Sequence, residues 1–270
     1  MNLIGSECQS RSYKTRTEIQ RWRQAHVPTL LSCTMIAAFA LVLALAAPYI
    51  KSSDELLEFD YSWSREAAAV PALDGRFRSD AMRHKASAMA SAKIDRRARL
   101  ATGGGWNPHS FSRSWETVGQ SGRLLSLIEL TGVYSGGAHP NSGSRALLWD
   151  RRLSRELPLP AVLRPGLSWT GAVRGAFCVL LDRERAEKRG ETIVRGPWPN
   201  NCPPLGELTV APADKDSDGR FDHLRVIADS YVAGPYAEGS YEFDLPITAT
   251  MVSRLKAEYL PSFEAHPPLQ

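Results

Sequence analysis

The sequence predicts an α+β body, with antiparallel sheets and helices packed on one face, preceded by one N-terminal transmembrane helix. Three observations carry this. Thr29 to Ile50 is an apolar run of about 22 residues without a charge, enough at ~1.5 Å per residue to cross a ~30 Å hydrocarbon core. Beyond it, β-prone segments come in clusters joined by short turns, which is the pattern of antiparallel pairing. Strict strand–helix alternation is absent, which counts against a doubly wound parallel sheet.

The apolar run divides the chain into a basic tail (residues 1–28), the span (29–50) and a polar body of about 220 residues. Arg11, Lys14, Arg16, Arg21 and Arg23 precede the run, whereas Lys51, then Asp54, Glu55, Glu58 and Asp60 follow it. Positive charge stays on the cytoplasmic side, so the expectation is a single-pass membrane protein with its N-terminus cytoplasmic and its body outside; in a bacterium that is the inner membrane with the body periplasmic. The rival expectation is a cleaved signal peptide, for which Ala44-Leu45-Ala46 has the small-x-small form. The long preceding tail and long apolar run favour an anchor.

In the body, Leu56 to Trp63 alternates imperfectly and is rich in large β-formers, which predicts a strand. Pro71 to Gly75 is read as a break. Arg76 to Leu100 has no Gly or Pro and is rich in Ala, Arg and Met, which predicts a helix with Phe77, Met82, Ala86, Met89 and Ile94 on its inner face. Ser110 to Val118 and Leu124 to Tyr134 predict a hairpin turning at Gly119 to Gly122, and Ser144 to Trp149 a returning strand. Pro158 and Pro160 prevent a regular continuation. Ser168 to Lys188 predicts a second helix, capped by Ser168, stopped at Gly190 and buried through Trp169, Val173, Ala176, Phe177, Leu180 and Leu181. Short strands follow at Leu208 to Val210, Phe221 to Ile227 and Tyr241 to Leu245, and Ile247 to Tyr259 predicts a closing amphipathic helix.

Composition bounds function loosely. Hydrophobic content of 43% and charged content of 23% are those of a globular protein, and a net charge of +4, partly in the tail, gives no case for nucleic-acid binding. Of four cysteines only Cys178 and Cys202 lie in the body. In an oxidising compartment they form a disulfide pair; two separate buried thiols are the alternative. The chain has no metalloprotease helix motif, phosphate-binding loop or dinucleotide fingerprint.

Three stretches could carry chemistry. Tyr134-Ser-Gly136-Gly137-Ala-His139-Pro is a rigid glycine turn that presents a histidine, as a base, a ligand or a contact point. Asp214, Asp216, Asp218 and Asp222 occupy the first, third, fifth and ninth positions of a calcium-type loop with Gly219 at the sixth. Arg225 stands where such loops carry a bidentate Glu, so calcium is the one cofactor the pattern admits, against an acidic solvated turn. Tyr231, Tyr236 and Tyr241 recur around glycines, a proline and Glu238; aromatics on a stiff loop suit contact with a protein or sugar, or else cover a sheet edge.

Tyr134 to Asn141, the following Leu147-Leu148-Trp149-Asp150, and Tyr231 to Gly239 together resemble a bacterial extracytoplasmic domain family. That family is found in the lysozyme-binding anti-sigma-V factor and beside the catalytic domain of a peptidoglycan deacetylase. The resemblance implies an α+β body in two halves, residues 55–153 and 154–259. No deacetylase domain follows in this sequence, so that activity is not implied. The expectation is a non-catalytic envelope protein that contacts a cell-wall polymer or an envelope protein through Tyr134, Gly136, Gly137, His139, Tyr231, Tyr236, Glu238 and Tyr241. The alternative is an envelope hydrolase using His139 and a nearby carboxylate as acid and base.

Overall fold

The computed structural model describes residues 46–267. The basic tail, Cys8, Cys33 and the expected span up to Leu45 lie outside the described residues. No helix among the described residues is long and apolar enough to cross a membrane. The last two residues of the apolar run are not helical. Tyr49 and Ile50 open strand β1 (Tyr49–Ser53), where Ile50 pairs with Tyr61 and packs on the core.

β1 is followed by β2 (Leu57–Trp63), the short helix α1 (Arg65–Ala68), α2 (Pro71–Ala101), β3 (His109–Gln120), β4 (Leu124–Tyr134), β5 (Asn141–Asp150) and β6 (Arg155–Leu157). These strands form one six-stranded sheet in the order β1-β2-β3-β4-β5-β6. The sheet is mixed, not purely antiparallel as expected: β2 and β3 run parallel, with α2 as the crossover between them. An extended chain leaving β2 needs a long connection to return parallel, and α2 is that connection.

α2 begins five residues before its expected start. Pro71 to Gly75 is its first turn, not a break. Proline is tolerated at the first helical position because its missing N–H would be unpaired there anyway. Asp74 in that turn accepts from the Trp63 indole at 3.0 Å and pairs with Arg78. The buried stripe is Leu73, Phe77, Ala81 and Ala92, while Met82, Ala86 and Ile94 face solvent, contrary to the expected face. Phe77 stacks on Trp115 of β3 at 4.7 Å, and Phe59 on Phe111 at 5.3 Å. Full burial of such a side chain contributes about 1.5–3 kcal/mol, so this aromatic layer fixes α2 on its face of the sheet.

The second half holds α3 (Thr170–Arg189), then β7 (Thr209–Ala213), β8 (His223–Ala228) and β9 (Tyr241–Pro246), an antiparallel three-stranded sheet in the order β7-β8-β9. Ser168 precedes the helix and accepts the Thr170 N–H at 2.9 Å; Trp169 holds the cap position itself, and α3 ends at Gly190 as expected. α3 packs Val173, Phe177 and Leu181 onto the face of Leu224, Val226 and Leu245. The opposite face of the small sheet meets the large one through Ile128, Ala211 and Ile227. Each sheet therefore carries one long helix on one face, and the sheets meet along a shared seam.

The closing helix is reduced to α4 (Ala249–Val252). Met251, Leu255 and Tyr259 are buried as expected, but on a looping chain. Backbone bonds to residues 162–164 take the place of helical ones: Lys256 donates to Val162 and Arg164 to Arg254. Cys178 and Cys202 are joined in a disulfide, with Cα atoms 5.6 Å apart, tying α3 to the proline-rich loop that follows it.

Candidate functional site

The seam between the sheets brings two distant loops together. Ser144 of β5 donates its N–H to Asp229 at 2.9 Å, and its hydroxyl to Thr209 at 2.9 Å. The β4–β5 loop thus lies against the β8–β9 loop. In the first, Gly136 has φ of 85°, a conformation that favours glycine, and its carbonyl accepts from Arg99 at 2.7 Å. An added Cβ would meet that guanidinium, the movable end of a long side chain, so it is the positive φ that favours glycine here.

Three of the expected residues form one aromatic ledge. The His139 ring stacks on Tyr236 with centroids 3.8 Å apart, and the Tyr231 ring lies 5.8 Å from that of Tyr236. His139 Nδ1 is 3.0 Å from the Pro140 carbonyl, which can only accept, so Nδ1 carries the proton. Nε2 then accepts from the Tyr231 hydroxyl at 3.2 Å. Neither bond involves a carboxylate.

Tyr231 is 51% exposed and has φ of 70°, a strained conformation for a bulky residue. Its carbonyl accepts from the indole of Trp198, itself 53% exposed. Nothing in its sequence context marks Trp198; it reaches the ledge through the loop that the disulfide holds. A polar groove of ≈ 420 Å³, lined in part by Arg113, Ser142, Gly143, Asp229 and Glu242, opens along the same seam.

Glu238 and Tyr241 do not face outward; they anchor the loop. Arg189 of α3 grips the Glu238 carboxylate with two bonds of 2.8 and 2.9 Å. Tyr241, fully buried, donates its hydroxyl to the same carboxylate. Burial would raise the Glu238 carboxyl, but Arg189 and Tyr241 outweigh it and hold it below the usual glutamate value. Burial, then Glu238, pushes the Tyr241 hydroxyl up to about 12. Arg185, also of α3 and fully buried, donates to the carbonyls of Ala233 and Asn201 at 2.9 and 3.0 Å. Burial lowers its pKa. Tyr134 and Gly137 flank the histidine turn and have no hydrogen bond or ring contact to the ledge among the described residues.

The acidic loop lies elsewhere. Asp214, Asp216 and Asp218 converge, with ligand-capable oxygens within 4.8 Å of one another. Much of their hydrogen-bonding capacity goes to the loop's own N–H groups: Asp214 accepts from Asp218 and Gly219, and Asp218 from Arg220. Asp222 groups instead with Asp216 and Glu264, and separately with His223 and His266. Glu264 and His266 are about forty residues downstream, out of reach of any spacing rule. They arrive because Phe221 and Phe263 pair as a parallel bridge. Burial, then the charge of Asp218, raises the Glu264 carboxyl above its usual value.

No family model and no curated protein matches this chain. Its structural neighbours are DUF3298 family proteins. The one from Pseudomonas aeruginosa PAO1 gives a TM-score of 0.48 at 17% identity, over 82% of this chain and 98% of that chain. The member from Bacteroides fragilis NCTC 9343 gives 0.48 at 14% identity, over 80% of this chain and 94% of that chain.

Proposed function

We propose that the protein is a membrane-anchored, non-catalytic binding protein of the bacterial cell envelope, which presents its aromatic ledge to a wall polymer or an envelope protein. One observation carries the reading: His139, Tyr231 and Tyr236, from two loops far apart in sequence, share one stacked and partly exposed surface. Side chains on α3 clamp the Tyr231–Tyr241 loop, so little entropy is lost when a ligand is gripped. Rigid tyrosines give large contact area at low ordering cost. The sequence resemblance to the domain of a lysozyme-binding anti-sigma factor belongs with this reading and makes lysozyme one probe among several.

The test is retention of the full-length protein, in detergent, on insoluble peptidoglycan, immobilised lysozyme and envelope extract. Tyr231→Gly and Tyr236→Ala are the variants. Tyr231→Gly relieves about 1–2 kcal/mol of left-handed strain, so its melting temperature should hold while retention falls at least ~10-fold. Equal retention of wild type and both variants, or none by wild type on any probe, would reject the ledge.

A further inference from the structure

The histidines beside the acidic loop have a geometry that the ledge does not use. Asp222, His223 and His266 each offer a donor atom, and the three donors lie within 4.8 Å of one another. His223 is only 8% exposed, and its buried Nδ1 has no hydrogen-bond partner. That nitrogen lies 2.8 Å from Asp222 Oδ2, close to it but off hydrogen-bonding geometry. Two donors that share one ion at ~2.0–2.2 Å stand ~3.0–3.5 Å apart, so these two atoms need separate by only a few tenths of an ångström to share one.

The outer atoms of His266 and Asp222 are tied down. His266 Nδ1 lies 3.1 Å from the Pro267 carbonyl, which fixes the ring proton there and leaves a lone pair on Nε2. Asp222 Oδ1 accepts the Lys215 N–H at 2.9 Å, which turns Oδ2 toward the histidines. A ring N–H given to a backbone carbonyl and a carboxylate held by a second bond are how ligand side chains are oriented. The segment carrying His266 is itself seated, since its N–H donates to Ile247 at 2.8 Å and that of Ile247 to Asp222 at 2.8 Å.

We infer that Asp222, His223 and His266 form a site for a late first-row divalent cation of the Zn²⁺ class. Two imidazoles and one carboxylate suit such an ion, whereas calcium takes oxygen donors. Three protein ligands leave one tetrahedral position for water or an exogenous ligand. The bound ion staples the segment from Phe263 to His266 onto the start of β8. The site is independent of the aromatic ledge.

The experiment is Zn²⁺ titration of untagged, chelator-stripped full-length protein in detergent, read by calorimetry and by thermal melting, with Ca²⁺ in parallel. Wild type should take up one Zn²⁺ and melt at a higher temperature. His266→Ala removes an exposed ligand without touching the core and should weaken uptake by more than about tenfold, since even loss of an outer partner costs ~10–100-fold. Asp218→Asn, in the acidic loop only, should leave Zn²⁺ uptake unchanged. The inference is overturned if wild type takes up no stoichiometric Zn²⁺, if His266→Ala binds it as tightly as wild type, or if Ca²⁺ displaces Zn²⁺ at equal concentration.

Discussion

Arg185→Met tests whether the tyrosine loop is held from beneath. Arg185 is fully buried in α3, and its guanidinium donates to two carbonyls, those of Ala233 in the tyrosine loop and Asn201 beside the disulfide. A hydrogen bond from a charged donor is worth about 1.5–3 kcal/mol, so counting one for each carbonyl gives a gross ~3–6 kcal/mol, although Nε and Nη2 both reach Ala233. Burial of the guanidinium opposes this and lowers its pKa. Methionine fills most of the volume but donates nothing, leaving both carbonyls without these bonds. The expected net loss is about 3 kcal/mol, or a fall in melting temperature of about 6–12 °C for a body of this size. Arg78→Met is the control: Arg78 pairs with Asp74 on the solvent side of α2, where an ion pair is worth under ~1 kcal/mol. Calorimetry on both variants decides. If Arg185→Met melts within ~2 °C of the control, Arg185 does not hold the loop, and the share of the ledge's pre-organisation assigned to it falls, leaving the Arg189–Glu238 clamp.

Three further outcomes follow from particular contacts. Replacing both Cys178 and Cys202 by Ala opens a link of sequence separation 24 and should lower unfolding free energy by roughly 3.5 kcal/mol in urea titrations; a loss below ~1 kcal/mol would contradict the chain-entropy account. Acid should destabilise the body through Asp150 and Glu238. Burial raises both, but Leu153, Arg123 and Arg152 for Asp150, and Arg189 and Tyr241 for Glu238, hold them below their ordinary values of 3.8 and 4.5. Their contribution is complete above those values and is lost as pH falls below them toward the native pKa values; Asp150→Asn should flatten the urea-derived profile there, and an unchanged slope would count against it. Gly119→Ala should cost about 1–3 kcal/mol by thermal melting, because the new methyl would lie 2.6 Å from the Asp214 backbone nitrogen, which cannot move away alone; a neutral result would mean that β3 and the acidic loop are not in this contact.

Local features were legible where one residue's chemistry sufficed. The hairpin of β3 and β4, the stop of α3 at Gly190 and the rigid turn before His139 follow from turn residues and periodicity. On α2 the apolar spacing points to Phe77, Met82, Ala86, Met89 and Ile94. Phe77 and Met89 pack on the core, but Met82, Ala86 and Ile94 are exposed and Leu73, Ala81 and Ala92 are buried in their place, because small alanines supply no contrast that periodicity can read. The last helix was misread because its apolar spacing is satisfied equally by a looping chain that bonds to residues 162–164.

By itself the sequence determined an α+β body, the residues of the tyrosine and histidine loops, and the two cysteines placed to pair; the structure joins them. Only the tertiary structure decided that His139 lies on Tyr236, that Glu238 and Tyr241 turn inward to α3, and that His266 reaches Asp222 and His223. The physical reason is range. Propensity and periodicity report on neighbours a few residues apart, whereas these contacts are made by sheet pairing and by a C-terminal segment returning across the fold.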